Sequence, residues 1–240
     1  TELNQWHDFG IGKGGNIIAL AAELYHSENV AYLLERIAER TPYIRPATFS
    51  FGEQKTHNSS FQDVQVGELS SPALIDYLRE RGINIELAKR ECKELRFENN
   101  GKTYFAIGFP NMAGGYELRN HYFKGCIAPK DITHIRQQGE QRAVCYLFEG
   151  FMDYLSFLTI RVDNNPDEPR TNEQDYMVLN SVTNLSKAEQ LLRPYSRIGC
   201  FLDNDQAGQR AYENMKKIFG NRLQDMSHHY KEHKDLNEYL

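Results

Sequence analysis

Three apolar runs alternate with amphipathic stretches in the last hundred residues, and this alternation limits the folds that the chain can adopt. The apolar runs, typical of buried strands, lie at 143–148, 176–181 and 197–202. The stretches that predict helices lie at 151–160, 186–192 and 206–219. A capping-box spacing at Ser186 and Glu189 marks the start of the second helix. Strands and helices in alternation predict a parallel sheet with helices on both faces.

Acidic residues follow the first and the third of these runs. Glu149 comes directly after the first predicted strand, and Asp203 and Asp205 come after the third. Ligand sites in parallel sheets lie beyond the carboxyl ends of the strands, so we expect these carboxylates to lie close together. Crowded carboxylates repel one another unless a cation joins them, and oxygen ligands beside phosphates suit Mg²⁺. The pattern predicts a metal site for phosphoryl or nucleotidyl transfer.

Three short motifs in this region resemble the signatures of a Toprim domain. They are Glu149-Gly150-Phe151-Met152-Asp153, Asp203-Asn204-Asp205-Gln206-Ala207-Gly208 and Lys234-Asp235-Leu236-Asn237-Glu238. The variant is similar to that of DnaG-type bacterial primases, in particular primase-like proteins of bacterial mobile elements. The resemblance implies that Glu149, Asp203 and Asp205 are catalytic and hold Mg²⁺ or Mn²⁺. It also implies that Asp153 and Asp235 bind a second ion or orient the first.

The resemblance extends upstream of the parallel sheet. Residues 74–83 resemble the start of the primase core, and residues 107–125 resemble the segment that lines its basic groove. Arg119 and Lys124 match basic positions that face the template or a nucleoside triphosphate, and Lys130 is a less specific candidate. Basic side chains among aromatic ones also suit single-stranded nucleic acid on physical grounds, through phosphate attraction and base stacking.

The first forty residues resemble the back half of a primase zinc-ribbon domain. Asp8, Gly10 and Ile11 stand where such a ribbon carries paired cysteines, so no zinc is expected. The four cysteines of the chain form no CxxC pair, and we interpret them as reduced thiols of a cytoplasmic protein. Cys145 and Cys200 lie in apolar runs and are expected to be buried.

These observations predict four segments. Residues 1–40 are the zinc-ribbon-like remnant, with two amphipathic helices at about 17–25 and 29–40, and residues 41–70 are a linker or exposed loop. Residues 71–140 are a mixed α+β basic subdomain, with a helix that begins after Ser71 and a hairpin that turns at 99–101. Residues 141–240 are the α/β Toprim domain.

The predicted function is primer synthesis on single-stranded DNA by a metal-dependent nucleotidyltransferase, a DNA primase acting in replication. Its expected partners are the DNA template, nucleoside triphosphates and a replicative helicase contacted through regions outside this sequence. The net charge of −5 alone argues against nucleic acid, and the mean hydropathy of −0.65 with no long apolar run excludes a membrane helix. Two alternatives stay open, a Toprim nuclease and a catalytically silent nucleic-acid binding module. A topoisomerase is less favoured, because 240 residues leave little room for a DNA gate.

Overall fold

The computed structural model describes residues 6–8, 13–15, 17–27, 32–33, 36–37, 61–99, 101–140 and 142–240. The chain divides into a small unit, Thr1–His57, and a larger unit, Asn58–Leu240. Among the described residues no helix is both long and apolar enough to cross a membrane.

The small unit contains a short hairpin followed by a helix. Strands β1 (Trp6–Asp8) and β2 (Lys13–Gly15) pair antiparallel, and α1 (Ile17–Tyr25) confirms the first predicted helix. The second helix, expected at about 29–40, lies mostly outside the described residues, as do Gly10 and Ile11.

An antiparallel sheet opens the larger unit, and its strands are neighbours in chain order. They are β3 (Phe61–Gly67), β4 (Lys93–Asn99), β5 (Lys102–Pro110), β6 (Tyr116–Arg119) and β7 (Lys124–Ile127). Helices α2 (Pro72–Glu80) and α3 (Ile85–Glu91) connect β3 to β4. The helix expected after Ser71 and the hairpin expected at 99–101 are both present.

Strand β3 corrects part of the loop interpretation given to residues 41–70. Residues 61–67 form an edge strand that pairs with β4, although six of the seven are exposed. Only Val64 and Val66 alternate with a polar residue in this strand, and this pattern is too short to predict a strand. Its partner β4 supplies the hydrogen bonds that fix it, and residues 41–60 lie outside the described part of the chain.

A second sheet, within residues 133–225, has the order β12-β11-β9-β10-β8. Its strands are β8 (Thr133–Ile135), β9 (Val144–Phe148), β10 (Asp175–Val178), β11 (Arg197–Phe201) and β12 (Leu223–Asp225). The helices that flank it or follow it are α4 (Phe151–Asn164), α5 (Leu185–Leu192), α6 (Gln206–Phe219) and α7 (Leu236–Tyr239). Strands β9 to β12 are parallel, which confirms the predicted arrangement, and β8 is an antiparallel edge strand.

The capping box predicted at Ser186 and Glu189 is wrong. Helix α5 begins at Leu185 with Asn184 as its N-cap, which places Ser186 inside the first turn. The Glu189 carboxylate instead accepts a hydrogen bond from Arg193, 2.7 Å away. A short 3₁₀ turn directly precedes the helix, so the helix begins earlier in the chain than the capping box predicts.

A continuous apolar core joins the two sheets of the larger unit. It includes side chains of α2 and α3, the end of β5, helix α4 and the strands β9 to β11. Phe109 of β5 stacks on Phe151 of α4, with ring centroids 5.2 Å apart. Cys145 and Cys200 are buried in the second sheet, as expected. This packing holds the β6–β7 hairpin beside the carboxyl ends of the parallel strands.

Candidate metal and nucleotide site

Two of the predicted acidic residues leave the parallel sheet side by side. Strands β9 and β11 are neighbours, and Phe148 pairs with Phe201 at their ends. Glu149 and Asp203 follow these two positions and line one cleft. The backbone N–H of Asp203 donates a hydrogen bond of 3.5 Å to Glu149 Oε2. The parallel register therefore brings together carboxylates that lie 54 residues apart in the sequence.

Two further carboxylates line the same cleft. Asp153 lies in the first turn of α4, is 7% exposed, and accepts a 3.2 Å hydrogen bond from the backbone N–H of Asn237. Asp235 is the N-cap of α7, and its Oδ1 accepts from the backbone N–H of Glu238 at 2.8 Å. Asp153 and Asp235 thus approach the cleft from different helices.

The carboxylates perturb one another. Burial, together with the negative charges of Glu149 and Asp235 and against the opposing charge of Lys234, raises the pKa of Asp203 from 3.8 to about 7. Burial, together with repulsion from Asp235 and Asp203, likewise raises the pKa of Asp153 from 3.8 to about 7. The pKa of Glu149 is also raised, again mainly by burial. Negative charge is therefore held in the cleft at a cost that a bound cation relieves.

Asp205 stands apart from this group. Its Oδ1 accepts hydrogen bonds of 2.9 Å from the backbone N–H groups of Ala207 and Gly208, which makes it the N-cap of α6. The residues that line the cleft do not include it. Its charge still reaches the site, because it adds to the raised pKa of both Glu149 and Asp203. The spacing of Asp203 and Asp205 did not reveal this capping role.

Basic side chains face the carboxylates across the cleft. Arg119 ends β6 and pairs with Lys124 at the start of β7, and both line the cleft with Glu149 and Asp203. The cleft encloses about 100 Å³. Lys130 lines an adjoining cavity that also contains Lys124 and Glu149. Arg119 and Lys124 therefore line the same cleft as the carboxylates, and Lys130 lines the adjoining cavity.

Several lining residues were not singled out from the sequence. Among them, Asn237 connects three helices: its Nδ2 donates to the backbone carbonyl of Arg81 after α2 and to Ser156 Oγ in α4. The Arg81 side chain donates back to Asn237 Oδ1. Lys234 lies 3.9 Å from the Asp203 carboxylate. Asn237 and Lys234 belong to the third motif, which was a usable signal, whereas Arg81 reaches the cleft only through the fold.

Glu117 and Asn180 are two more lining residues that the sequence did not indicate. Glu117 lies on β6 and Asn180 follows β10, and each is at least 95% buried. Burial raises the pKa of Glu117, against the opposing influence of the Cys126 thiol and of Lys130 and Lys124. Glu117 lies in the segment that resembles the lining of the basic groove, where only the basic residues were singled out, and nothing near Asn180 in the chain marks a site.

The donor set of the cleft fits a hard divalent cation. In the described part of the chain, no group of three or more His, Cys, Asp or Glu side chains is close enough to hold a metal. Mg²⁺, however, usually keeps several waters and binds through one or two carboxylates together with substrate phosphates. Glu149 and Asp203 are such a pair, and the lining offers oxygen rather than sulfur ligands.

Comparison with known families agrees with this architecture. Residues 146–240 match the family described as Toprim-like, which spans β9 to α7. This part of the chain is similar to Toprim-like domains. All five of its predicted acidic site residues fall within the match. Residues 63–128, which include most of the antiparallel sheet, match a domain of unknown function.

The solved structures that the chain resembles include two primases. One is the primase fragment of the bacteriophage T7 primase-helicase protein, with 15% identity over 83% of this chain and 80% of that chain, and a TM-score of 0.47. The other is the Aquifex aeolicus primase with its zinc binding and RNA polymerase domains, with 12% identity over 92% of this chain and 66% of that chain, and a TM-score of 0.42. No curated protein matches the chain.

Proposed function

We propose that this protein is a primase-like, metal-dependent nucleotidyltransferase that makes short primers on single-stranded DNA. One observation carries the proposal. Carboxylates at the ends of two parallel strands share a cleft with the basic pair of the β6–β7 hairpin. Such a cleft offers oxygen ligands for a divalent cation and positive charge for a polyanion.

Glu149 and Asp203 would hold Mg²⁺ or Mn²⁺, and Asp153 and Asp235 would bind a second ion or orient these two carboxylates. Asp205 remains a candidate ligand through its second oxygen, because its first caps α6. When bound, the ion would neutralise the charge that develops on the phosphates as a 3′-hydroxyl attacks the α-phosphate, a step that breaks the α–β phosphoanhydride bond and releases pyrophosphate and the hydroxyl proton.

The chain's own residues would position the substrates. Arg119 and Lys124 lie on adjacent strands, so the hairpin holds two positive charges at fixed spacing to bind the phosphates of a nucleotide. Lys234, close to Asp203, adds a third positive charge to the lining of the cleft. Under this proposal the partners are a single-stranded template, nucleoside triphosphates and a replicative helicase, in the cytoplasm.

Primer synthesis on a single-stranded template, with nucleoside triphosphates and Mg²⁺ or Mn²⁺, tests the proposal. We expect Asp203→Asn to lower the yield of product by at least about 100-fold, because a metal ligand lowers the activation barrier by several kcal/mol. The matched control is Asp163→Asn, an exposed position on α4, which should match the wild type.

Three results would contradict the proposal. Equal product from the wild type and Asp203→Asn removes the metal role of the carboxylate. Metal-dependent cleavage of labelled strands without any primer would indicate a nuclease. Salt-sensitive DNA binding that survives Asp203→Asn, with no product under either metal, would indicate a silent binding module.

A further inference from the structure

Two buried oxygen atoms face the cleft without a hydrogen bond. Glu117 is 4% exposed and Asn180 is 5% exposed, and both line the cleft with Asp203 and the adjoining cavity with Lys130. Among the described residues, Glu117 Oε1 and Asn180 Oδ1 have no hydrogen-bond partner. Buried acceptors are nearly always paired, because an unpaired one has lost its hydration without compensation. Both atoms therefore point to a ligand that is bound in the working protein.

The orientation of the Asn180 amide is fixed by its surroundings. Its Nδ2 donates to the carbonyl of Asp131 at 2.9 Å and to Thr133 Oγ1 at 3.1 Å. The Thr133 hydroxyl donates its own proton to the carbonyl of Pro110, so it can only accept from Asn180. The amide oxygen cannot exchange places with the nitrogen. Asn180 also adopts a left-handed φ of +61°, a strained conformation of the kind found where ligands bind.

An amide oxygen and a carboxylate oxygen call for a hydrogen-bond donor. Phosphate oxygens are acceptors, and Arg119, Lys124 and Lys130 of the same two cavities suit them better. The donors of a nucleotide are the N–H groups of its base and the hydroxyls of its sugar. In templated synthesis the template occupies the Watson–Crick edge, and the amino protons that stay free on adenine, guanine and cytosine are absent from uracil, so the sugar hydroxyls are the donors that every nucleotide offers.

We propose that Glu117 Oε1 and Asn180 Oδ1 accept hydrogen bonds from the sugar hydroxyls of a nucleotide whose phosphates lie at the neighbouring basic residues. This inference rests on the proposed function. It gives the cleft a means of distinguishing ribose from deoxyribose, because a site built around a hydroxyl leaves its acceptors unpaired when the hydroxyl is missing.

Equilibrium binding of ATP, 2′-deoxyATP and 2′,3′-dideoxyATP to the full chain with Mg²⁺ tests the inference. The wild type should bind the dideoxy compound about tenfold more weakly than ATP, through loss of hydrogen bonds to a charged and an amide oxygen. Glu117→Met, an apolar replacement of similar size, should bind ATP about tenfold more weakly and lose the preference. The control Glu98→Gln, an exposed position on β4, should keep it.

A second variant protects the test against a folding defect. Asn180→Gly removes the amide oxygen, and glycine adopts positive φ readily, so this variant should reduce the preference about fivefold while its thermal unfolding stays cooperative. The hydroxyl can come from the incoming nucleotide or from the 3′-terminal sugar of a primer. The same comparison with short primers that end in ribose or 2′,3′-dideoxyribose identifies the source, and either source supports the inference.

Other outcomes overturn it. Equal affinity of the wild type for all three nucleotides and both primers shows that no hydroxyl is bound. Equal weakening of all ligands by Glu117→Met indicates a contact to phosphate. Weaker binding of Mn²⁺ alone to Glu117→Met indicates a cation as the occupant. If the wild type binds no nucleotide at all, the proposed function fails together with this inference, whereas binding that ignores the hydroxyls leaves the proposed function standing.

Discussion

Removing one charge from the acidic cleft should stabilise the metal-free protein. The pKa of Asp203 rises from 3.8 to about 7, so its ionised form costs about 4 kcal/mol more in the folded state than in the unfolded chain. Asp203→Asn removes that charge and keeps the shape. The attraction of Lys234, 3.9 Å away, already lowers this pKa and is therefore contained in the 4 kcal/mol, whereas solvent that reaches part of the carboxylate screens the repulsion and reduces its cost. We expect a net gain of about 3 kcal/mol in the free energy of unfolding.

Urea unfolding in a chelating buffer at pH 8 measures this gain. Because the folded pKa is raised, the penalty is absent below pH 3.8 and complete above about pH 7, so the difference between variant and wild type should shrink as the pH falls through this window. The control Asp163→Asn should change little at any pH, since that side chain is exposed.

Adding Mg²⁺ should remove this difference in stability. At a concentration a hundredfold above its dissociation constant, a ligand that binds only the folded state adds about 2.7 kcal/mol to the free energy of unfolding. Only the wild type, which keeps the Asp203 carboxylate, would be stabilised by this full amount. The gap of about 3 kcal/mol should then close. The reasoning is refuted if Asp203→Asn is less stable than the wild type in chelator at pH 8, because crowding of like charges would not then dominate the cleft.

Three further substitutions probe the framework. A Cβ at Gly208 would lie 2.2 Å from the backbone oxygen of Asp203, so Gly208→Ala should displace that loop and weaken Mn²⁺ binding at least about tenfold in a titration. Glu94→Gln should cost about 2 kcal/mol in urea unfolding at pH 7. Burial raises the pKa of Glu94, but the backbone N–H groups of Ser70 and Ser71 together with Arg96 outweigh it and lower the pKa, so this loss is full above pH 4.5 and disappears as the pH falls through the lower folded pKa. Tyr195→Phe removes the 2.6 Å hydrogen bond to the buried Asp175 and should cost about 1–3 kcal/mol in the same assay.

Each of these expectations has an opposite result. Gly67→Ala is the matched control for Gly208→Ala, since an added Cβ there meets no described atom within 4 Å. Equal Mn²⁺ affinity of the two alanine variants would contradict the loop argument. A difference between Glu94→Gln and wild type that stays constant down to pH 3 would contradict the role of its charge. Unchanged stability of Tyr195→Phe would show that the Asp175 carboxylate needs no donor from the tyrosine.

Strands β9, β10 and β11 were predictable because they are largely buried on both faces. Strands β9 and β11 read as continuous apolar runs, and the chain order of strand and helix then dictates that their carboxyl ends share an edge. That logic alone brings Glu149 and Asp203 together. The same logic fails for the edge strands β3 and β12. Strand β3 is mostly polar and β12 is short, so both depend on pairing with a partner strand, and neither carries a periodic pattern long enough to predict it.

The remaining features of the site depend on contacts between distant parts of the chain. The sequence shows that Asp205 is two residues after Asp203, but which of them turns inward depends on where α6 begins, and the cap takes Asp205. Glu117 and Asn180 meet only after the antiparallel sheet packs beside the parallel one. Their proposed roles depend on side chains that are buried and on oxygen atoms that lack a hydrogen-bond partner, and the amino-acid sequence alone shows neither property.

The hydrogen bonds of Asn237 also determine when the cleft can form during folding. The Asn237 side chain hydrogen-bonds to Arg81, which is 156 residues away in the sequence, and the Asn237 backbone N–H donates to the Asp153 carboxylate. Closing so long a loop is entropically unfavourable until both sheets exist, which makes this contact a late event. An intermediate with both sheets formed but α7 undocked would lack an ordered acidic cleft. Metal affinity would then appear only with the final step, and Mn²⁺ would report completion of the fold more faithfully than helix content does.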